Sequence, residues 1–152
     1  LEDGFETKLK NGEYFGEAVL TPTYIYVKVI NDLFDKGMDI HYMVNITGHG
    51  WRKLMRANRE FTYMITQIPP IPPIFTFIQK HSGNDDAQMY GTFNMGAGFA
   101  IYLPKKDLKK AQKIIKDNGF EGLDAGYVKN GPRQVIIKPK NIVFEGKSLD
   151  LR

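Results

Sequence analysis

Apolar and polar residues repeat with two different periods along this chain, and each period predicts a type of element. A helical spacing of apolar residues follows Thr21 and Pro22, which predicts a helix over about 22–36 with Thr21 as its cap and Pro22 at its first position. Residues 38–46 then alternate between apolar and polar side chains, which indicates a strand with one buried face. The same reasoning predicts, in chain order, a short basic helix at 51–57, a strand at 61–66, a helix at 74–82, a short helix at 85–90 capped by Asn84, a strand at 99–103 and a helix that contains 108–115 and ends before Gly119.

Three shorter apolar runs, at 126–129, 134–137 and 141–144, complete the pattern. The pairs Asn130-Gly131 and Pro139-Lys140 separate these runs and are typical of turns, so we expect an antiparallel finish to the chain. Strands that alternate with helices indicate an α/β or α+β fold, in which a mixed central sheet is covered by helices. At 152 residues the chain is expected to form a single domain.

Composition narrows the class of ligand. The formal net charge is +4, and the basic residues are spread along the chain instead of forming the blocks typical of nucleic-acid-binding arms. We therefore expect an anionic small molecule as ligand and no nucleic acid. The chain has no cysteine, and its three histidines lack the spacing of metal ligands, so we expect no metal site. No apolar run approaches the roughly 20 residues of a membrane span, which leaves a cytoplasmic location, with no membrane partner, as the default expectation.

Two loops at strand ends carry the residues that we expect to contact a ligand. Residues 45–50 (Asn-Ile-Thr-Gly-His-Gly) end one predicted strand, and residues 92–96 (Thr-Phe-Asn-Met-Gly) lie before another, within a glycine-rich segment at 89–98. Glycine lets a backbone approach a ligand closely, and hydroxyl and carboxamide groups supply neutral donors and acceptors beside it. The candidate substrate- or phosphate-binding residues are Asn45, Thr47, Gly48, His49, Gly50, Thr92, Asn94 and Gly96.

The chemistry of these residues leaves alternatives open. A strand that leads through 47–50 into a helix would aim free N–H groups and the helix dipole at an anion, with Arg52 nearby; the alternative is an ordinary turn whose basic residues face solvent. His49 is either a proton carrier or a hydrogen-bonding surface residue. The pair Asp85-Asp86 is either a general acid and base or, as we favour, a helix cap. No P-loop, dinucleotide-binding glycine motif or serine-nucleophile motif is present, so the catalytic residues stay unassigned.

Three segments resemble those of one family, in the family's order. They are 20–28 (Leu-Thr-Pro-Thr-Tyr-Ile-Tyr-Val-Lys), 45–50 and 88–96 (Gln-Met-Tyr-Gly-Thr-Phe-Asn-Met-Gly), and they resemble the C-terminal domain of aminoimidazole ribonucleotide synthetase, also called phosphoribosylformylglycinamidine cyclo-ligase. The resemblance implies a domain of that type, from an enzyme that uses ATP to close the imidazole ring of a purine precursor. It also implies that the two loops line the substrate side of a cleft.

The resemblance further implies parts that lie outside this chain. The family's ATP-binding domain precedes the matched region, and the chain begins at Leu1 instead of methionine, so we expect a piece of a longer two-domain protein that is inactive alone. ATP and Mg are implied as cofactors of the full-length protein, with neither bound by this chain by itself. The implied partners are a ribonucleotide-type substrate and the N-terminal ATP-binding domain, and we also expect a homodimer.

Three residues depart from the family pattern and motivate other interpretations. Asn45 stands where the family has histidine, His49 where it has glycine, and Tyr24 where it has arginine. One alternative is therefore a paralogue that binds a phosphorylated metabolite without closing a ring. A further alternative is a domain that serves only for dimerisation or as a scaffold.

Overall fold

Helices and strands alternate along the chain in the computed structural model, which describes residues 3–149. The helices are α1 (Phe15–Leu20), α2 (Val27–Asp35), α3 (Pro73–Ser82), α4 (Asp86–Thr92) and α5 (Leu108–Asp117). The strands are β1 (Tyr42–Asn45), β2 (Phe61–Ile65), β3 (Phe99–Tyr102), β4 (Gly126–Asn130), β5 (Gln134–Ile137) and β6 (Ile142–Glu145). Short 3-10 helices occur at Gly4–Glu6, Gly50–Met55, Lys105–Asp107, Lys138–Lys140 and Gly146–Leu149. We call Gly50–Met55, which carries Arg52 and Lys53, the basic 3-10 helix.

The strands form two sheets. In the four-stranded sheet the order is β4-β2-β5-β6, with β2 parallel to β5 and the other neighbours antiparallel. The other sheet is an antiparallel pair of β1 and β3, in which Asn45 lies opposite Phe99. The α+β class with a mixed sheet is therefore confirmed. Strands β1 and β3 form a separate sheet that does not pair with the four-stranded one.

Two hydrophobic clusters hold these elements together. The first combines the buried residues of β2 and β5 with the basic 3-10 helix and α4, and Trp51, Met55 and Tyr90 are almost fully buried in it. The second joins α2 to α5 through Leu33 and Ile114, with further apolar residues around them. Burial of such side chains is the main stabilising contribution, at about 25 cal/mol per Å² of apolar surface. The candidate loops lie on the first cluster.

The predicted start of the helix at 22–36 is wrong. Thr21 ends α1, because its N–H bonds to the Ala18 carbonyl, and Pro22 follows as a residue that cannot continue that helix. Residues 21–26 are irregular and α2 begins only at Val27. No pattern in the sequence predicted α1, because this helix is too short to show a clear periodicity.

The predicted hairpin at Asn130-Gly131 is also wrong. Strands β4 and β5 do not pair with each other, because β2 lies between them and bonds to both. Local turn chemistry favoured a hairpin, but β2 is buried from Thr62 to Ile65, and a strand on each side supplies hydrogen-bond partners for both of its backbone edges. The antiparallel pairing of β5 with β6 is confirmed.

The cap of α4 differs from the prediction by one residue. Asp85 caps the helix, since its carboxylate accepts the N–H of Gln88 at 2.7 Å, while the Gln88 side chain accepts the N–H of Asp85 at 2.9 Å. Capping is therefore the role of Asp85. Helix α4 extends to Thr92, so the first part of the glycine-rich segment 89–98 is helical.

The other predicted elements are confirmed within a few residues at their ends. The strand predicted at 38–46 is shorter, at Tyr42–Asn45, because Met38 packs into the second cluster instead. The predicted basic helix is a 3-10 helix. Within residues 3–149, no helix is both long and apolar enough to span a membrane.

Candidate functional site

The loop at 47–50 is held against the end of α4 by a contact that only glycine permits. Gly50 has φ +52°, a left-handed conformation, and its N–H donates to the Thr47 carbonyl at 2.6 Å. A Cβ atom on Gly50 would lie 2.8 Å from the backbone nitrogen of Thr92 and still closer to the Tyr90 carbonyl oxygen. Any side chain here would force the loop away from α4. The glycine therefore serves a close backbone approach inside the protein.

The second loop, at 93–98, is shaped by Asn94. Its side-chain oxygen accepts the N–H of Gly96 at 3.0 Å, and its backbone carbonyl accepts the indole N–H of Trp51 at 2.8 Å. Gly96 has φ +97°, and a Cβ there would lie 2.7 Å from the Pro70 carbonyl oxygen. The side-chain nitrogen of Asn94 makes no hydrogen bond to residues 3–149, so it is a donor that a ligand can use.

The structure brings the two predicted loops together, but it gives their residues different surroundings. The contact of Gly50 with α4 and the bond from Trp51 to Asn94 join the loops directly. Gly96 lies against the proline segment at 69–72. Gly48 and Thr92 are exposed. The remaining predicted residues, Asn45, Thr47 and His49, are near the side chain of Lys53 or line the same cleft with it.

Lys53 is a buried lysine that the sequence analysis did not single out. Its exposed fraction is 7%, and its ammonium group donates to the Thr47 hydroxyl and to the Asn45 carboxamide oxygen. Burial lowers the pKa of Lys53, and the positive charge of Arg56 lowers this pKa further. Both of its hydrogen-bond partners are neutral. They solvate the ammonium group of Lys53 but do not neutralise its charge.

A cleft of about 230 Å³ opens beside Lys53, and we call it the basic cleft. Its lining residues are His49, Lys53, Arg56, Arg133 and Leu149. None of these five is acidic. Within residues 3–149, no carboxylate lies within 4.0 Å of a charged nitrogen of Lys53, Arg56 or Arg133. Residues 3–149 therefore do not neutralise the positive charges of the cleft.

Arg133 reaches the basic cleft from a distant part of the chain. It lies directly before β5, and its Nε donates to the Met55 carbonyl at 3.0 Å, at the end of the basic 3-10 helix. A Cβ atom on Gly146 would lie 3.2–3.3 Å from the aliphatic carbons of Arg133, so this glycine leaves room for the Arg133 side chain. The guanidinium is thus oriented while its terminal N–H groups remain for other partners. Only the pairing of β5 beside β2 brings this residue to the cleft, and no local sequence signal indicates it.

Arg52, which the sequence placed near a possible anion, has a different role. Its Nε donates to the Gly91 carbonyl at 3.1 Å, and its Nη1 donates to the Ser148 carbonyl at 3.2 Å. The guanidinium also lies 5.7 Å from the ring centre of Phe144. Arg52 therefore ties the basic 3-10 helix to α4 and to the last 3-10 helix, and it does not line the basic cleft.

The acidic side chains of the described residues do not converge on a metal site, and the predicted acid pair has a structural role. Across residues 3–149, no group of three or more His, Asp or Glu side chains converges in a way that would hold a metal. Asp86, the second acid of the predicted pair, bonds to Gln79 at 2.8 Å and to Lys140 at 2.9 Å, and these bonds lower its pKa. It is thus committed to tying α3, α4 and the Lys138–Lys140 turn together.

The fold and the two joined loops define an α+β domain with a cationic cleft at a strand-to-helix connection. No protein-family model matches this chain. The chain is 44% identical over 110 residues to the phosphoribosylformylglycinamidine cyclo-ligase of Methanococcus vannielii, an alignment that covers 72% of this chain and 30% of that protein. It is 41% identical over 108 residues to the protein of the same name from Methanocaldococcus jannaschii, with 70% and 31% covered. With that of Rippkaea orientalis it shares 36% identity over 134 residues, with 86% and 39% covered.

This chain is a relative of the phosphoribosylformylglycinamidine cyclo-ligases, and it corresponds to their C-terminal part. The resemblance inferred from its three motifs is thereby confirmed. The matched region is about a third of the length of these proteins.

Proposed function

We propose that a longer protein carrying this chain closes the imidazole ring of formylglycinamidine ribonucleotide to give aminoimidazole ribonucleotide, with hydrolysis of ATP. The observation that carries this proposal is the 36–44% identity to proteins named for that ring closure over most of this chain. In the proposed reaction ATP phosphorylates the formyl oxygen, the neighbouring amidine nitrogen attacks the same carbon, and phosphate leaves.

This chain would supply the substrate side of the cleft. The joined loops offer neutral donors such as the Asn94 side-chain nitrogen, beside the exposed Thr92 and Gly48. Neutral donors in a shielded site stabilise negative charge that develops on a phosphorylated amide without themselves needing to lose a proton. The candidate residues Asn45, Thr47, His49 and Gly96 complete the proposed surface, and the buried Gly50 holds the first loop against α4.

ATP and Mg belong to the proposal as ligands of the remaining protein. Residues 3–149 do not provide a metal-binding group, so the N-terminal ATP-binding domain would hold both. The proposal includes that domain as a partner, a second copy in a homodimer, and a cytoplasmic location. By this proposal the chain alone does not turn over substrate.

Ring closure by the natural longer protein tests the proposal. We expect formation of aminoimidazole ribonucleotide from formylglycinamidine ribonucleotide that depends on ATP. The variant Asn94→Asp keeps the oxygen that accepts from Gly96 but replaces the free donor with a negatively charged oxygen, so we expect turnover to fall at least about 100-fold with the fold intact. The matched control Asn31→Asp, on the exposed side of α2, should retain wild-type turnover. A folded, ATP-binding protein with no ring closure would refute the proposal.

The second candidate function is binding of a phosphorylated metabolite without ring closure, in a paralogue of the cyclo-ligases. Asn45 and His49 favour it, because each departs from the family pattern at the Lys53 side of the first loop. Calorimetric titration of the longer protein with the cyclo-ligase substrate and with other ribotides separates the two functions. Tight binding of an unrelated ribotide alone would favour the second.

A further inference from the structure

We propose that the basic cleft binds a phosphate monoester dianion, with Arg56 and Arg133 as its two guanidinium ligands and Lys53 as a third donor. This inference deepens the proposed function, since a ribotide substrate carries one such group on its ribose. It does not require that the ring be closed. The chemical class follows from the charges, the bonds and the size of the cleft.

The cleft carries positive charges that the carboxylates of residues 3–149 do not neutralise. Three cationic residues line the cleft. Lys53 lies in the basic 3-10 helix, Arg56 directly follows that helix, and Arg133 directly precedes β5. No carboxylate within residues 3–149 forms an ion pair with any of them. Three like charges around a small volume repel one another, and an anion bound between them removes that repulsion. A ligand with two negative charges satisfies the cleft better than a single carboxylate.

The side chains are held ready for such a ligand. Arg133 is oriented by its bond to the Met55 carbonyl, which leaves the planar fork of its terminal nitrogens for oxygen atoms. Lys53 has three N–H donors, and the Thr47 and Asn45 oxygens take two of them. One N–H of Lys53 remains beyond these two bonds, and Lys53 is among the residues that line the cleft. Orientation before binding reduces the entropy that binding costs.

The size of the cleft limits the ligand. A volume of about 230 Å³ lies below the ~300–1,000 Å³ of sites that bury a drug-sized molecule. It accommodates a phosphate group with part of a sugar, but not a whole nucleotide. Leu149 and the imidazole of His49 line the cleft beside the cations and can contact the sugar carbons and hydroxyls. We therefore assign the cleft to a sugar phosphate in preference to free phosphate.

Calorimetric titration of the 152-residue chain with ribose 5-phosphate, inorganic phosphate and ribose tests this assignment. We expect ribose 5-phosphate to bind about fivefold more tightly than inorganic phosphate, and ribose not to bind. Arg56→Gln should weaken ribose 5-phosphate about tenfold or more, and raised salt should weaken it further. Arg59→Gln removes the same charge from an exposed position outside the cleft and should change the affinity less than twofold.

Arg133→Gln should weaken ribose 5-phosphate at least as much as Arg56→Gln. It also removes the bond to Met55, so circular dichroism must show that the variant is folded. Arg56 is exposed and makes no hydrogen bond through its side chain to residues 3–149, so its variant keeps the test decisive even if Arg133→Gln unfolds. Equal affinity for inorganic phosphate and ribose 5-phosphate would overturn the monoester assignment. Unchanged affinity of Arg56→Gln would overturn the site.

Ring-closure kinetics of the longer protein and of its Arg56→Gln variant distinguish failure of the cleft assignment from failure of the proposed function. If the ring closes and Arg56→Gln raises KM about tenfold with kcat unchanged, both stand. If the ring closes and KM is unchanged in Arg56→Gln, the cleft assignment fails while the proposed function stands. If no ring closes but ribose 5-phosphate binding depends on Arg56, the proposed function fails while the cleft assignment stands.

Discussion

Arg52 and Arg56 lie four residues apart at the same basic 3-10 helix, yet their surroundings differ completely. Arg52 donates to two backbone carbonyls, those of Gly91 and Ser148, and it makes these bonds inside the protein. Arg56 lines the basic cleft and makes no comparable bond within residues 3–149. We call the side of the helix formed by Gly50, Trp51 and Arg52 the docked face. His49, Lys53 and Arg56 form the cleft face.

The difference shows that the charge of a side chain does not reveal its role. A carbonyl oxygen at the end of a helix is an unsatisfied acceptor, and an arginine that reaches several such oxygens is a structural brace. An arginine without internal acceptors keeps its hydrogen-bonding capacity for a ligand. Mutations on the docked face should therefore lower the stability of the protein, whereas mutations on the cleft face should mainly weaken ligand binding.

The largest expected effect is that of Gly50→Ala on the docked face. The added Cβ would overlap the backbone of α4, and alanine also disfavours φ +52°, so we expect a loss of more than about 3 kcal/mol of unfolding free energy and a fall in Tm of about 10 °C. Urea and thermal unfolding measure both. Gly48→Ala is the matched control, because nothing lies within 4 Å of its Cβ position, and it should change stability by no more than about 0.5 kcal/mol. Equal stabilities of the two variants would refute the docked arrangement.

Arg52→Lys should have the next largest effect. Lysine keeps the charge but cannot reach the Gly91 and Ser148 carbonyls together, so we expect a loss of about 2 kcal/mol in unfolding free energy. Arg56→Lys makes the same chemical change on the cleft face and should cost no more than about 0.5 kcal/mol. Urea titrations of the two variants compare the faces directly. If Arg56→Lys proved the more destabilising, the assignment of the faces would be reversed.

The hydroxyl groups of Tyr102, which is half-buried, and Tyr90, which is buried, give a smaller contrast in stability. The hydroxyl of Tyr102 donates to the Leu54 carbonyl at 2.8 Å, so Tyr102→Phe should cost about 1 kcal/mol. The buried hydroxyl of Tyr90 has no hydrogen-bond partner within residues 3–149, and burial, followed by the charge of Asp86, raises its pKa to about 12. Tyr90→Phe should therefore leave the unfolding free energy unchanged or slightly raise it. A clear loss of stability in Tyr90→Phe would show that this hydroxyl has a partner in solution.

The smallest expected effect is a dependence of stability on pH at the cleft face. Because the pKa of Lys53 is lowered in the folded state, its protonation opposes folding below that lowered pKa, and this penalty fades as pH rises from the folded pKa towards the unfolded one. The unfolding free energy of the wild type should therefore rise relative to that of Lys53→Met across this alkaline range. Chemical unfolding at neutral pH and at several alkaline pH values measures the difference. A difference independent of pH would contradict an unpaired buried charge at Lys53.

The amino-acid sequence by itself determined most of the elements and the two loops of the site. The helix α5 and the strand β2 follow from their periods, and the apolar α3 follows from the proline segment before it. The loops were predictable because glycine, threonine and asparagine at strand ends are costly unless a turn or a ligand requires them. The motifs also sufficed to identify the family.

Only the tertiary structure decided which strands pair and which basic residues form the cleft. The pair Asn130-Gly131 predicts a hairpin locally, but backbone pairing of the buried strand β2 on both of its edges outweighs that preference. Arg133 joins Lys53 and Arg56 only because β5 lies parallel to β2, across a separation of more than 70 residues. Periodicity reports the neighbours of a residue along one element, whereas a charged cleft depends on contacts between distant segments. For that reason the sequence identified the loops, and the fold showed which basic side chains brace the protein and which remain for a ligand.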